Sequence, residues 1–405
     1  MAVGDGNIGT LYPVSGLKLG IASAGVKKPG RKDLVVMSIA QGSTVAGVFT
    51  KNLFCAAPVT IAKDHLARAT PRYLLINTGN ANAGTGSSGM VNGERCCAAL
   101  AQIAGCETEA VLPFSTGVIG EPLPVDKIVN ALPAAMENLD EGQWLAAAEG
   151  IMTTDSRPKA CSVQVDLDGC LITITGISKG AGMICPNMAT MLGFVATDAA
   201  IDTPTLQNLV RQASEHSFNR ITVDGDTSTN DACMLVATGA AGNERLLEGT
   251  AAYSKFEVAL RKVFLSLAQA IVKDGEGATK FVEVRVSGAR DEKDALKVAY
   301  AIAHSPLVKT ALFASDPNWG RILAVVGRSG LENLDLNQVN IWLGSAQIVE
   351  DGGRASAYSE EQGQAVMNQD EILIHVDLGA GTAVESVWTT DLSHDYVRIN
   401  AEYRT

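Results

Sequence analysis

No long block of Lys and Arg interrupts this 405-residue sequence, and its formal net charge is -12. An acidic chain without a basic block grips phosphate backbones poorly, which argues against a nucleic-acid partner. The opening residues show no basic segment followed by an apolar run, so no secretory signal is read there. No apolar stretch reaches the length of a membrane-spanning helix, and no membrane partner is expected. The eight cysteines include no Cys-x-x-Cys pair, and a chain this long needs no disulfide staples; they read as reduced thiols in the cytoplasm. Without an i,i+4 pair among the five histidines, no metal site is expected. A Gly-x-Ser-x-Gly elbow is also missing, so a serine hydrolase would have no visible nucleophile. Segment 25–32 has the glycine spacing of a P-loop but not its Gly-Lys-Ser/Thr ending. Segment 224–230 opens like a calcium loop, yet Thr229 stands where glycine is needed and Leu235 where glutamate is.

What is present is ample core material: 46% hydrophobic residues, 19% charged ones and 40 glycines for tight turns. The length allows two domains, or one large layered domain with a smaller partner. Segments 35–37, 44–50 and 73–77 read as strands. Residues 162–167 and 171–174 alternate around Asp168-Gly169, a hairpin with one face inward. Thr203 followed by Pro204 predicts a helix start with a hydroxyl N-cap. Helices are also predicted over 253–272 and 291–304, and a strand over 281–286. The stretch 372–399 reads as mostly strand, with a Gly-rich turn at 379–381. Mixed sheets packed with helices, a layered α/β class, fit this pattern.

The chemistry concentrates in segment 179–194, where Ala189-Thr190 follows a Gly-rich approach. A small residue before a threonine is consistent with self-cleavage: the Thr190 Oγ attacks the Ala189 carbonyl, and water then releases a new N-terminus. The freed α-amine, with a pKa of roughly 7.7–8.0, is partly neutral near pH 7 and can take the hydroxyl proton without a histidine. The same residues would also suit a buried Met/Leu strand after a glycine turn.

Segment 179–194 resembles the cleavage-site signature of the ornithine acetyltransferases, the bifunctional glutamate N-acetyltransferase/amino-acid acetyltransferase family. It departs at Ala181, where serine is usual, which removes a hydroxyl near the site without being expected to abolish processing. The resemblance continues in order through 76–83, 114–120, 151–155, 221–231, 274–280, 315–321 and 391–405.

The resemblance implies a fold like that of N-terminal-nucleophile hydrolases, mixed sheets packed with helices, plus a smaller α/β part. It implies cleavage into an α chain, 1–189, and a β chain, 190–405, that share one core and assemble as α2β2. Thr190 would carry the acetyl group. Thr116 and Gly117, placed in a turn after the strand-like 110–114, would stabilise the oxyanion. Thr153, Lys179, Glu276, Asn400 and Thr405, with Thr190, match substrate-binding positions. Lys179 would supply a cation to a shared carboxylate, and Glu276 would neutralise an amine.

The implied reaction is ping-pong transfer from N2-acetylornithine to glutamate, releasing ornithine and N-acetylglutamate in arginine biosynthesis. No cofactor is implied. Some members of the family also acetylate glutamate from acetyl-CoA, and no CoA pocket is legible here. Two rivals stand beside this reading. One is an amidase or aminopeptidase with the same self-processed nucleophile. The other is a non-catalytic amino-acid-binding protein.

Overall fold

The computed structural model describes residues 2–185 and 191–402. The chain divides into two compact units: Asn7–Asn219 with Asp226–Ile271, and Met1–Gly6 with Arg220–Gly225 and Val272–Thr405.

The strands of the larger unit are β1 (Leu17–Ala22), β2 (Leu34–Ile39), β3 (Thr44–Phe49), β4 (Tyr73–Asn80), β5 (Val111–Val118), β6 (Lys159–Leu167), β7 (Cys170–Lys179), β8 (Leu192–Thr197) and β9 (Ala232–Ala237). Its helices are α1 (Ala57–Arg68), α2 (Gly86–Ala104), α3 (Val125–Glu137), α4 (Trp144–Gly150), α5 (Thr203–Glu215) and α6 (Ala251–Lys273). The strands sort into a four-stranded sheet, β1-β2-β4-β5, and a five-stranded sheet, β3-β9-β8-β7-β6. The second sheet draws β3, β6 and β7 from before residue 186 and β8 and β9 from after residue 190.

Period-2 alternation explains the layering. Val35, Met37, Leu74, Ile76, Leu112 and Phe114 of the first sheet share a core with Ile177, Leu192, Phe194 and Met234 of the second. Their neighbours Leu34, Val36, Leu75 and Val111 face the other way, against residues of α1, α2 and α3. Helix α5 packs on β3 and β9, and α6 closes on β7, where a Cβ at Gly176 would lie 2.8 Å from Val195 of β8 and 3.0 Å from Leu267 of α6. The result is a helix–sheet–sheet–helix stack whose inner strands β2, β8 and β9 are buried on both faces, whereas the edge strand β6 alternates. This is the layered α/β class expected from the sequence.

The hairpin stands as expected: β6 and β7 pair antiparallel across Asp168-Gly169, with φ of 56° and 91°. The helix start at 203 needs correction. Asp202, not Thr203, is the N-cap and accepts from the Thr205 N–H, with Thr203 and Pro204 inside the first turn.

The smaller unit has one sheet, ordered β13-β12-β11-β14-β10-β15. Its strands are β10 (Phe281–Ala289), β11 (Asn340–Leu343), β12 (Ala346–Glu350), β13 (Gly353–Arg354), β14 (Glu371–Asp377) and β15 (Ala383–Thr390). Its helices are α7 (Glu292–Ala303), α8 (Pro306–Phe313), α9 (Trp319–Gly327), α10 (Glu360–Met367) and α11 (His394–Ala401). Val282, Val284, Val286, Ile374 and Val376 pack with Val298 and Ile302 of α7 and Val325 of α9. The strand reading of 372–399 holds through β14 and β15 but fails after residue 393. There the Ser393 side chain caps the N–H of Tyr396 and opens α11.

No disulfide joins any of the eight cysteines. Among the described residues, no helix is long and apolar enough to cross a membrane.

Phe114 and Phe194 meet edge to face between the two sheets of the larger unit, ring centroids 5.2 Å apart, and each is almost fully buried. Phe194→Ala is expected to cost about 3–5 kcal/mol through cavity formation. A thermal unfolding midpoint within a degree of wild type would contradict this.

Candidate active site

The inter-sheet face of β5 runs Leu112, Phe114, Thr116, and that of β7 runs Ile177, Lys179. Alternation therefore turns the first polar residue of each strand end toward the same gap. There Lys179 Nζ donates to Thr116 Oγ1 at 3.1 Å. Because that oxygen accepts from the ammonium, the hydroxyl hydrogen is left to point elsewhere, and Thr116 can act as a donor.

Thr116 and Gly117 do not form a turn after the strand, as the sequence reading had them. They lie inside β5, in parallel register with Thr78 and Gly79 of β4, and irregular pairing begins at Asn80. Parallel pairing carries the strand through to Val118 because its backbone groups find partners there. Gly117 has φ of 136°, and a Cβ on it would lie 2.3 Å from the Gly79 carbonyl carbon. Only glycine fits so close an approach.

Thr153 and Lys179 are brought together through Asp155. The buried Asp155 carboxylate accepts from Lys159 Nζ at 2.6 Å, from the Gly180 N–H at 2.7 Å and from the Thr153 N–H at 2.9 Å. Burial works against its charge, but Lys159, Lys179 and these hydrogen bonds outweigh burial and hold the carboxyl well below the usual carboxylate range. Arg31 adds donors to the carbonyls of Met152 and Thr153.

A second buried carboxyl behaves oppositely. Burial pushes Asp231 well above the ordinary carboxylate value of 3.8, opposed only in part by hydrogen bonds with Ser228 and by Lys179. Among the described residues its Oδ2 has no hydrogen-bond partner. The residue after it, Ala232, donates its N–H to the Met191 carbonyl at 3.1 Å, and Leu192 lies in register with both Lys179 and Ala232. Asp155 and Asp231 both fall in segments that carry the family resemblance, yet an aspartate in a Gly- and Thr-rich sequence reads equally well as a turn residue. Only burial distinguishes them.

In the smaller unit, Asn400 on α11 donates from Nδ2 to Glu276 Oε2 at 2.8 Å and to the Tyr396 carbonyl at 3.0 Å. Turn 274–277 is bolted to this helix. Ser393 Oγ donates to the Gly277 carbonyl at 2.7 Å, and a Cβ on Gly277 would lie 2.5 Å from the Tyr396 N. The Asp391 carboxylate accepts from the N–H groups of Thr279 and Lys280. Lys309, for which the sequence offered no signal, is buried beside Thr389 and Thr390, and burial lowers it to about 8. Of the sequence-derived site residues, Thr116, Gly117, Thr153 and Lys179 thus belong to the larger unit, and Glu276 and Asn400 to the smaller. Ala189, Thr190 and Thr405 lie outside the described residues. Among the described residues, no group of three His, Cys, Asp or Glu could hold a metal ion.

Comparison with known proteins bears on this set as a whole. A family model described as the ArgJ family matches residues 18–405. An arginine biosynthesis bifunctional protein ArgJ from Pseudomonas fluorescens (strain Pf0-1) is 60% identical over 407 residues, covering 100% of each chain. The crystal structure of the same-named protein from Bacillus halodurans is 42% identical, with a TM-score of 0.50; the match covers 51% of this chain and 97% of that one. An ornithine acetyltransferase complexed with ornithine, from Mycobacterium tuberculosis, is 31% identical over 44% of this chain and 94% of its own, with a TM-score of 0.37.

The two carboxyls make opposite predictions. Asp155→Asn leaves Lys159 buried without its counter-charge and is expected to cost about 3–5 kcal/mol, read as a lowered unfolding midpoint near pH 7. Asp231 has a raised folded pKa, so its contribution is intact below the unfolded value near 3.8 and declines as pH rises toward the folded one. Asp231→Asn should therefore gain on wild type steadily from pH 4 to pH 7 in paired unfolding curves. A pH-independent difference would show that Asp231 is ionised in the folded protein.

Proposed function

Because the chain belongs to the ArgJ family, we propose that it is a self-cleaving acetyltransferase of arginine biosynthesis. It moves acetyl from N2-acetylornithine to glutamate through an acetyl-Thr190 ester. The observation that carries this reading is the Lys179–Thr116 contact of 3.1 Å. Lys179 pairs with Leu192, so the strand ends on either side of Ala189-Thr190 are neighbours across which a donor-ready hydroxyl is held.

Self-cleavage begins when Thr190 Oγ attacks the Ala189 carbonyl carbon. The C–N bond breaks as the ester forms, and water hydrolyses the ester to leave a free Thr190 α-amine and an Ala189 carboxylate. In turnover the neutral amine takes the Oγ proton while Oγ attacks the acetyl carbonyl of N2-acetylornithine. The Thr116 hydroxyl and Gly117 N–H receive the developing negative charge. Collapse expels the ornithine α-nitrogen, which leaves with the proton. Glutamate then attacks the ester through its amine and departs as N-acetylglutamate, and Thr190 is restored. The route needs no cofactor; acetyl-CoA would enter only as an alternative acetyl donor.

Thr153, Lys179, Glu276, Asn400 and Thr405 are proposed to bind the substrates. The buried Glu276 carboxylate is already oriented by Asn400, which suits it to an amine. A cut at 189/190 would leave both products contributing strands to one sheet, which supports a shared core. The Bacillus halodurans chain, matched over 97% of its length by 51% of this one, is itself about half as long, as a cleaved product would be. The proposed assembly is α2β2, in the cytoplasm.

Intact mass of the denatured protein tests the first half of the reading. Wild type should give two species that divide between Ala189 and Thr190, and Thr190→Ala a single inactive one. The second half is tested by incubating the cleaved protein with N2-acetylornithine, with and without glutamate. Release of ornithine that depends on glutamate is expected. Release of acetate at the same rate without glutamate would make the protein an amidase instead.

A further inference from the structure

Segment 224–230 lacks the residues of a calcium loop, and one of its side chains has a different task. Asn230 is buried, and both hydrogens of its amide are committed: Nδ2 donates to the Ala81 carbonyl at 2.6 Å and to the Ser115 carbonyl at 3.0 Å. Its Oδ1 accepts from Thr229 Oγ1 at 2.7 Å, which fixes which way round the amide sits. Its own backbone N–H donates to Ser228 Oγ at 3.2 Å.

The two carbonyls it holds bracket the Thr116–Gly117 pair. Strand β5 is the edge of its sheet, and an edge strand presents carbonyls that no neighbouring strand meets. The Ser115 carbonyl shares a rigid peptide plane with the Thr116 N–H, so holding one sets the other. On the far side, the Ala81 N–H donates to the Val118 carbonyl at 2.9 Å, one residue beyond Gly117. Asn230 thus ties together the chain just before and just after the two groups assigned to the oxyanion. With Gly117 pressed against the Gly79 backbone, this stretch of β5 has little freedom left.

We propose that Asn230 is a positioning residue for acyl transfer, which sets the Thr116 hydroxyl and Gly117 N–H at their working geometry by clamping the Ser115 and Ala81 carbonyls. This rests on the acetyl-transfer reading above and adds to it a residue that acts through Thr116 and Gly117. An oxyanion site works because its donors are fixed before charge develops, so loosening them lowers turnover more than substrate affinity.

The test measures acetyl transfer from N2-acetylornithine to glutamate for wild type, Asn230→Ala, Thr229→Val, Thr116→Ala and the Asn230→Ala/Thr116→Ala double variant. Rates are expressed per cleaved chain, counted by intact mass, so that a processing defect is not mistaken for a catalytic one. Asn230→Ala should lower kcat about ten- to a hundredfold, with KM for N2-acetylornithine within about twofold of wild type. Thr229→Val, which only frees the amide to turn, should lower kcat less in the same direction, and it stands alone if Asn230→Ala does not fold. In the Thr116→Ala background the Asn230→Ala loss should shrink, because the two act through one site. A merely structural Asn230 would lower the unfolding midpoint and leave kcat per cleaved chain at the wild-type value, or lower it by the same factor beside Thr116→Ala; either result overturns the proposal. Wild type that transfers no acetyl overturns the functional reading and this inference with it, whereas a transferring wild type with an unimpaired Asn230→Ala overturns the inference alone.

Discussion

The larger unit's part of the candidate site depends on one buried carboxylate. Asp155 accepts from a side-chain ammonium and two backbone N–H groups, and through them it joins the Thr153 loop, the start of β6 at Lys159 and the end of β7 at Gly180. An anion with no exposure is tolerated only when its lone pairs are met and its charge is matched. Asp155 meets both conditions, and the requirement runs in both directions. The three segments it touches are held where they are because any of them moving away would leave a charge stranded.

That constraint accounts for where Lys179 can reach. The Gly180 N–H is anchored to Asp155, so the residue before it leaves β7 at a fixed point with its side chain on the inter-sheet face. Thr116 arrives on the same face from β5 by simple alternation after Leu112 and Phe114. The Phe114–Phe194 contact two residues earlier sets the sheet spacing on which the Lys179–Thr116 distance depends. Chemistry at the strand ends is thus continuous with packing in the core, and the glycine at 117 is where the two meet most tightly.

Much of this was legible in the sequence. Alternation marked β6 and β7, Asp168-Gly169 marked their turn, and the order of seven motifs marked the family and most of the candidate residues. The misreadings have local causes. Ser115-Thr116-Gly117 has turn composition, but parallel pairing with β4 keeps it in the strand. Residues 394–399 include two β-branched side chains, Val397 and Ile399, yet the Ser393 cap makes them a helix. Thr203 looked like a cap because the better one, Asp202, stood one residue earlier. Asp155, Asn230 and Asp231 lie within the motifs, but nothing in the sequence marks a role for them. Their distinguishing property is burial with particular partners, and no single-residue pattern encodes that.

The pKa values of the two buried aspartates near Lys179 shift in opposite directions because they differ in company. Asp155 has Lys159 at 2.6 Å and two N–H donors; Asp231 has Ser228 and, among the described residues, one oxygen with no partner. Asp155 is paired with Lys159, and burial disfavours charge on Asp231, so both carboxyls oppose the Lys179 ammonium beside Thr116 less than free carboxylates would. Were both carboxyls ionised, their charges would balance those of Lys159 and Lys179, and the neighbourhood would give no net support to an oxyanion at the Thr116 hydroxyl. Burial that disfavours charge on Asp231 favours polarisation of that hydroxyl toward donation by the lysine. Burying Asp231 thus limits negative charge where the proposed chemistry develops it.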